Sequence, residues 1–387
     1  MIYFDNAATS FPKPAAVVQA VNEAVRFYGG NPGRSGHQMS MRTAEKIYQV
    51  RQKAGAFFDV RPEQVIFTLN CTHALNQAIK GVMAEGGHVI TTKLEHNSVL
   101  RPLESMAAAG RIQYTAVPVT EGDDDATLAA FGEALRRDTR AVVCTHGSNV
   151  TGTLLPVSRI ADFCRRNGLI FILDAAQTAG VLPVRLSMGP DVICMAGHKS
   201  LHGITGTGLM LLREGLSLPP LMEGGTGTGS LELQAPAEPP ERYEVGTVNT
   251  VGIIALGAAL DDLGRRGLDR IYRYEMALCA RVYEELRRTD GVQLLASRFK
   301  LWEKAPIVSF NIRGLDAGAV AARLSERGFL LRGGYHCAAL AHPFLGTAEQ
   351  GAVRFSPGIF NNPRQVTLFL DEVKKIAKNP AVRLNLF

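Results

Sequence analysis

Short apolar runs of strand length recur along the first two-thirds of the chain: QVIFTL, HVITT, IQYTAV, AVVCTH, LIFILD, DVICMA and TGLMLL. Stretches with helical apolar spacing separate most of them, among them SRIADFCRRNG, whose glycine reads as a C-terminal cap. Strands alternating with helices predict a largely parallel sheet covered on both faces, with strands that are apolar throughout. From about Gly252 the pattern changes to a long helical run, with Ile271, Tyr274, Leu278, Val282 and Leu286 marking one face. A strand in APIVSFNI and a helix through AGAVAARLSERG follow, which predicts a second, α+β domain. The Gly- and Pro-rich segment EGGTGTGSLELQAPAEPPERYE is too long for a mere connector and reads as a functional loop. No internal repeat or low-complexity tract stands out.

Composition narrows this picture. At 387 residues the chain exceeds the usual single domain, so one large and one smaller domain is the natural expectation. With 46% hydrophobic and 20% charged residues, it has the make-up of a soluble globular protein. The net charge of +6 is spread along the chain, and the densest basic run, VKKIAKNPAVR, reads as the solvated face of a helix. No basic block with interleaved aromatics points to nucleic acid, whereas an anionic small molecule suits the charge. The run VNTVGIIALGAAL is too short to span a bilayer, and MIYFDNAATS does not read as a signal peptide. Six cysteines show no paired spacing, and four of them (Cys144, Cys164, Cys194 and Cys279) lie in apolar strand or helix patterns. A reducing, cytoplasmic setting is the expectation. Cys71 and Cys337 differ, each falling in a Gly-rich or polar turn.

The ends of the apolar runs carry the chemistry. NCTHALN, EHNS, THGSN, DAAQ and AGHKS each follow one of them. Ligands of open α/β sheets bind beyond the carboxyl ends of the strands, so five such ends describe a polar pocket. Asp174 ends an apolar strand, where an ionised carboxylate needs a cationic partner, and a protonated ring nitrogen would serve. Lys199, between His198 and Ser200, is a candidate for a desolvated amine that forms a Schiff base. Cys71 and Thr72 open a helix whose free N–H groups suit a phosphate. Taken singly, Asp174 could be a helix cap, Thr72 an N-cap, and His96 or His146 a structural histidine. GITGTG and GGTGTG lack the dinucleotide-loop spacing, and no metal site is expected. The joint arrangement describes a site for pyridoxal 5'-phosphate.

With these residues in place, the chain resembles the class V aminotransferase family of pyridoxal-phosphate enzymes, in particular its cysteine desulfurase and selenocysteine lyase group. The matching motifs are IYFDNAATSFPKP, LEHNSV, HGSNVTGTLLP, FILDAAQTAG, MAGHKSLHGITGTG, EVGTVNT, RGGYHCA and VRFSPGIFNN, which run across essentially the whole chain. The resemblance implies fold type I. Its large domain (16–255) carries a seven-stranded, mostly parallel sheet. A small α+β domain (1–15 and 256–387) carries the Cys337 loop. A homodimer with interfacial active sites is implied as well.

By motif, Lys199 is similar to the Schiff-base lysine, Asp174 to the partner of the pyridine nitrogen and Gln177 to the ligand of the ring hydroxyl. His96 resembles the imidazole that stacks on the ring and assists proton transfer. Cys71, Thr72 and His198 would hold the phosphate, with Thr247 reaching over from the other subunit. Asn149, also counted among the cofactor-binding residues, resembles with Arg354 the pair that holds the substrate carboxylate. Cys337 sits where the family keeps its persulfide-forming cysteine. Departures lie at Cys71, His73 and Ala196, where the family usually has a small residue or threonine, an acidic residue and often a serine.

The implied reaction converts L-cysteine to L-alanine and leaves the sulfur on Cys337 for an acceptor protein, without nucleic acid or membrane. Selenocysteine lyase is the alternative, as is a class V aminotransferase or cystine β-lyase using the same pocket. Taken alone, His336, Cys337 and His342 would also allow a metal site. The expectation for the RGGYHCA loop is a mobile arm, with Gly333 and Gly334 giving freedom and Arg332 or protonated His336 giving positive field at the thiol. His342 is unassigned.

Overall fold

The structure, a computed structural model, describes residues 1–33, 36–227 and 231–379. Strand β1 (Ile2–Tyr3) is followed by helices α1 (Ala15–Phe27) and α2 (Gln38–Phe58). The central run is β2 (Val65–Thr68), α3 (Cys71–Val82), β3 (Gly87–Thr92), α4 (Asn97–Ala108), β4 (Ile112–Val117), α5 (Asp124–Glu133), β5 (Thr139–Thr145), α6 (Val157–Arg166), β6 (Ile170–Asp174), β7 (Val192–Ala196) and β8 (Gly208–Leu212). Next come α7 (Thr250–Arg266), α8 (Leu268–Arg287), β9 (Val292–Leu294), β10 (Val308–Ile312), α9 (Ala317–Glu326), β11 (Phe329–Leu330), β12 (Arg332–Gly334), α10 (Ala341–Phe344), β13 (Ala352–Phe355) and α11 (Pro363–Lys378).

All seven apolar runs become strands of one sheet, in the order β2-β8-β7-β6-β5-β3-β4. Side chains alternate across it: Val142 and Cys144 of β5 enter the core on one face, Ala141 and Val143 the core on the other. Each fully buried aliphatic side chain contributes roughly 1.5–3 kcal/mol, which is why these segments are apolar throughout. Only β8 runs against its neighbours, pairing antiparallel with both β2 and β7. The carboxyl ends of β2, β3, β5, β6 and β7 therefore share one edge.

The second sheet is antiparallel, in the order β12-β13-β10-β9, and β1 pairs separately with β11. Its core gathers Phe4, Phe310, Phe355 and Phe369, with the Phe4 ring 4.5 Å from that of Phe355. The long helical run expected from Gly252 breaks at Gly267, whose φ of +80° admits glycine readily, and so forms α7 and α8. Ile271, Leu278, Val282 and Leu286 of α8 are buried, but Tyr274 is 38% exposed and sends its hydroxyl to the Asn361 carbonyl. The helix buries Tyr272, Met276 and Cys279 in its place, because it packs on two cores and needs a wider apolar face than one stripe.

The Gly- and Pro-rich segment after Met222 has no regular structure in its described part; Thr228, Gly229 and Ser230 lie outside the described residues. Its far end is fixed by Glu244, which accepts from both Arg51 Nη1 and Nη2 at 2.7 Å in a largely buried ion pair. Among the described residues, no helix is long and apolar enough to cross a membrane.

Candidate active site

The shared edge of the large sheet opens into a cavity of about 220 Å³. Asn70, Cys71 and Thr72 enter from the β2–α3 turn, His96 and Ser98 from the start of α4, and Thr145 and Asn149 from the end of β5. Asp174, Ala176 and Gln177 follow β6, and Ala196, His198 and Lys199 follow β7. Arg332, His336 and Arg354 close it from the small sheet, and Ala7 and Ala8 from the N-terminal segment. Of the residues to which the resemblance assigned a role, all but Cys337 and Thr247 line this cavity; His73, His146 and His342 do not. Thr247 lies in a neighbouring recess with Leu69, His73 and Asn249.

The floor is built for a cation. Asp174 is 4% exposed; its Oδ1 accepts from Ala176 N–H at 2.9 Å and stands 3.5 Å from Cys71 Sγ. A buried carboxylate with so little neutralisation calls for a positive group. Burial lowers the pKa of the Lys199 ammonium, against the pull of Asp174, so its neutral amine is within easier reach. Asn149 Oδ1, His198 Nδ1 and Arg354 Nε are buried without a hydrogen-bond partner in the structure. Polar atoms that line a cavity and lack partners mark where a polar ligand belongs.

The mouth suits an anion. Helix α3 is capped by Asn70, whose Oδ1 accepts from His73 N–H, so the N–H groups of Cys71 and Thr72 have no carbonyl one turn back within the helix. Thr72 Oγ1 lies 2.7 Å from Ser98 Oγ, which lies 2.8 Å from His96 Nδ1. His96 caps α4, its Nδ1 accepting from Ser98 N–H at 3.0 Å, and this leaves the ring proton on Nε2. Burial lowers the His96 pKa to about 4, so the ring is neutral near pH 7. Burial raises the thiol pKa of Cys71 well above the usual range. Cys71 is the first residue of a helix and fully enclosed, not a turn residue like Cys337; its thiol faces Asp174.

Arg354 is 1% exposed, with Nη2 donating to Asp5 Oδ1 at 2.9 Å and Nη1 to the Asn149 carbonyl at 3.0 Å. Cys337 is exposed at the rim, and Arg332 Nη2 stands 3.5 Å from its sulfur.

Two expectations for this loop are corrected. Gly333 and Gly334 are not a hinge: they pair with Val353 and Ala352, and a Cβ on Gly333 would come 2.1 Å from the Ala317 carbonyl oxygen. Glycine is there for close approach at position 333 and for a φ of +120° at position 334. His336 is no cation either: burial, with the charges of Arg354 and Arg332, lowers its pKa to about 2, outweighing the opposite pull of the Ala352 carbonyl 2.8 Å from its Nε2. The positive field at the thiol comes from Arg332. His342, unassigned from sequence, is buried with Nδ1 on Thr347 Oγ1 at 2.8 Å. Among the described residues, no three His, Cys, Asp or Glu side chains gather as metal ligands.

Several residues of the site were inside quoted motifs without being singled out. Asp5 pairs with Arg354, Ser98 links Thr72 to His96, and Lys13 Nζ donates to the His198 carbonyl at 2.9 Å. An acidic residue at position five, in FDNAATS, was the available signal for Asp5; its partner 349 residues away was not.

A family model described as aminotransferase class-V matches residues 2–369. A protein of Pyrococcus abyssi named probable cysteine desulfurase is 32% identical over 391 residues, covering 98% of this chain and 95% of that protein. One of the same name from Methanothermobacter thermautotrophicus is 30% identical, covering 97% and 94%. A solved apo structure of a cysteine desulfurase from Thermococcus onnurineus NA1 superposes with a TM-score of 0.89 at 31% identity, covering 98% of this chain and 95% of that one.

Proposed function

This chain belongs to the aminotransferase class-V family, and on that premise we propose that it is a pyridoxal-phosphate-dependent cysteine desulfurase. The observation that carries the reading is the meeting of Lys199 and Asp174 in one cavity whose rim bears the exposed thiol of Cys337 beside Arg332. Two relatives and a structural neighbour named as cysteine desulfurases match nearly end to end.

The residues present fit the cofactor. Asp174 would hold its ring nitrogen, Gln177 its ring hydroxyl and Lys199 its aldehyde carbon. The α3 N-terminus with Thr72, and the His198 side chain, would hold the phosphate, Cys71 contributing its backbone N–H and not its enclosed thiol. Bound there, the cofactor supplies an electron sink next to the substrate α-carbon. His96 would face the ring and donate from Nε2. Arg354 and Asn149 would grip the substrate carboxylate by their N–H groups, the unpartnered Arg354 Nε being a free donor. Lys199 would take the α-proton, its burial making the neutral base accessible.

Sulfur transfer then falls to Cys337. Its thiolate bonds to the substrate sulfur as the sulfur–Cβ bond breaks. The electron pair and a proton remain with the carbon skeleton, so L-alanine leaves and Cys337 carries a persulfide. One cysteine and one thiol become one alanine and one persulfide, with no outside oxidant. An acceptor protein would remove the sulfur.

We read the chain as a large unit, 16–255, and a small unit formed by 1–15 and 256–387, with α8 reaching the cores of both. A homodimer would bring Thr247 to the partner's cavity, and the exposed Phe27, Met39 and Met41 offer apolar surface for it. Six free cysteines suit a reducing, cytoplasmic setting. The deciding experiment supplies the cofactor-loaded protein with L-cysteine and follows its products. Alanine with persulfide on Cys337 supports the proposal; pyruvate with ammonia, or a keto acid, overturns it in favour of a β-lyase or transaminase. Parallel assays with L-selenocysteine rank the two substrates.

A further inference from the structure

We propose that Asn97 is a positioning residue for sulfur transfer, clamping the Cys337 turn to the first turn of α4. The inference rests on Cys337 being the sulfur carrier. Asn97 is the first residue of α4, so its N–H has no acceptor within the helix. That N–H donates to the Cys337 carbonyl at 2.7 Å. The Asn97 side chain adds a second bond, its Oδ1 accepting from Ala339 N–H at 3.2 Å. The two bonds bracket the cysteine from one residue.

The turn needs such restraint. His336 and Cys337 have φ of +50° and +57°, consecutive left-handed conformations that L residues seldom adopt. Asn149 Nδ2 holds the His336 carbonyl at 2.7 Å, while the His336 ring is fixed on the Ala352 carbonyl. Asn97 supplies the hold on the far side. Were it lost, the turn could relax and carry the sulfur away from Arg332. The residue before Asn97 is His96, which lines the cavity. One helical turn thus registers the thiol against the pocket, and a small error in that register lowers the rate of a displacement at sulfur.

The backbone bond survives any substitution at position 97 other than proline, so the side chain can be tested alone. In cofactor-loaded protein, Asn97→Ala should slow persulfide formation from L-cysteine about tenfold, the scale of one hydrogen bond's net contribution. The KM for L-cysteine, the visible cofactor absorbance and the melting temperature should stay at wild-type values. Asn97→Asp keeps the acceptor oxygen and should recover the rate to within about threefold. A wild-type rate in Asn97→Ala overturns the proposal, as does an equal loss in both variants.

Alkylation of Cys337 by iodoacetamide, without substrate, reads the clamp independently of turnover. It should be slower in Asn97→Ala, and an unchanged rate counts against the clamp. If the wild-type protein alkylates at Cys337 but carries no persulfide after L-cysteine, the desulfurase reading fails and the sulfur-transfer role of Asn97 falls with it.

Discussion

Arg332 and Arg354 stand directly opposite each other on the antiparallel strands β12 and β13, and both line the same cavity. Like charges facing across a sheet repel, and a carboxylate paired with one of them offsets part of that cost. Arg354 is held by Asp5, and Arg332 stands beside the sulfur of Cys337. In the proposed reaction one cation would serve the substrate carboxylate and the other the Cys337 sulfur, on adjacent strands of the same ladder.

This division of labour separates the effects of the two arginines. Arg332→Met should lower persulfide formation and iodoacetamide alkylation of Cys337 together, by about tenfold, with little change in KM. Arg354→Lys should instead raise the KM for L-cysteine by tenfold or more, because an ammonium cannot reproduce the bidentate grip. Steady-state kinetics beside single-turnover persulfide measurement tells them apart. A KM effect from Arg332→Met would contradict the assignment.

Cys337→Ala should remove alanine formation from L-cysteine almost completely, by about a thousandfold or more, since covalent catalysis at this thiol has no substitute. Alanine released from L-selenocysteine is expected to survive far better. Amino-acid analysis of both reactions is the measurement, and alanine from L-cysteine at the wild-type rate would refute the persulfide step.

Lys199→Ala should abolish the visible band of lysine-bound cofactor while the fold persists. Asp174→Ala should weaken cofactor retention, because the ring nitrogen loses its counter-charge. Absorbance spectra before and after dialysis give both answers. A band that survives Lys199→Ala would exclude this lysine.

Stability should depend on pH through groups away from the cavity. Burial lowers the pKa values of His146 and His202 from 6.5 to about 4. In that window the unfolded chain binds more protons, so they make stability fall as pH falls. Glu275 works in the other direction, its pKa raised by burial from 4.5 to about 8. Its folded carboxyl keeps a proton that the unfolded chain has lost, so its contribution is full below pH 4.5 and disappears as pH rises through 8. Glu275→Gln should therefore flatten the decline in melting temperature between pH 6.5 and 8, where those histidines no longer titrate. Identical slopes for variant and wild type would remove Glu275 from the account.

Gly333→Ala should destabilise the protein by about 1–3 kcal/mol, as overpacking does, since its Cβ would strike the Ala317 carbonyl. Denaturant unfolding measures it. A hinge role would predict a stable variant with altered turnover alone.

The large sheet was legible because strands buried on both faces must be apolar from end to end, which marks LIFIL and AVVC without help from context. The polar groups at their ends were equally visible, since a residue such as Asp174 or Lys199 directly after a buried strand is costly unless used. The small sheet was harder to read. Strands β1, β9 and β12 have two or three residues, and β1 finds its partner β11 more than three hundred positions away. The glycines before Cys337 misled for a related reason. Freedom and close contact both call for glycine, and only the proximity of Ala317 distinguishes them. The neutrality of His336 was hidden likewise, because burial and two nearby guanidinium groups depend on the assembled fold.

The contact between Asp5 and Arg354 ties the fifth residue to one made 349 positions later, and Ser10 and Lys13 reach back to the His198 carbonyl. On the ribosome, a nascent chain can complete the seven strands of the large sheet while the cavity still lacks a wall. Asp5 must wait through most of translation before Arg354 emerges, although Ser10 and Lys13 meet His198 half-way along the chain. The cavity is thereby completed only when synthesis is nearly finished.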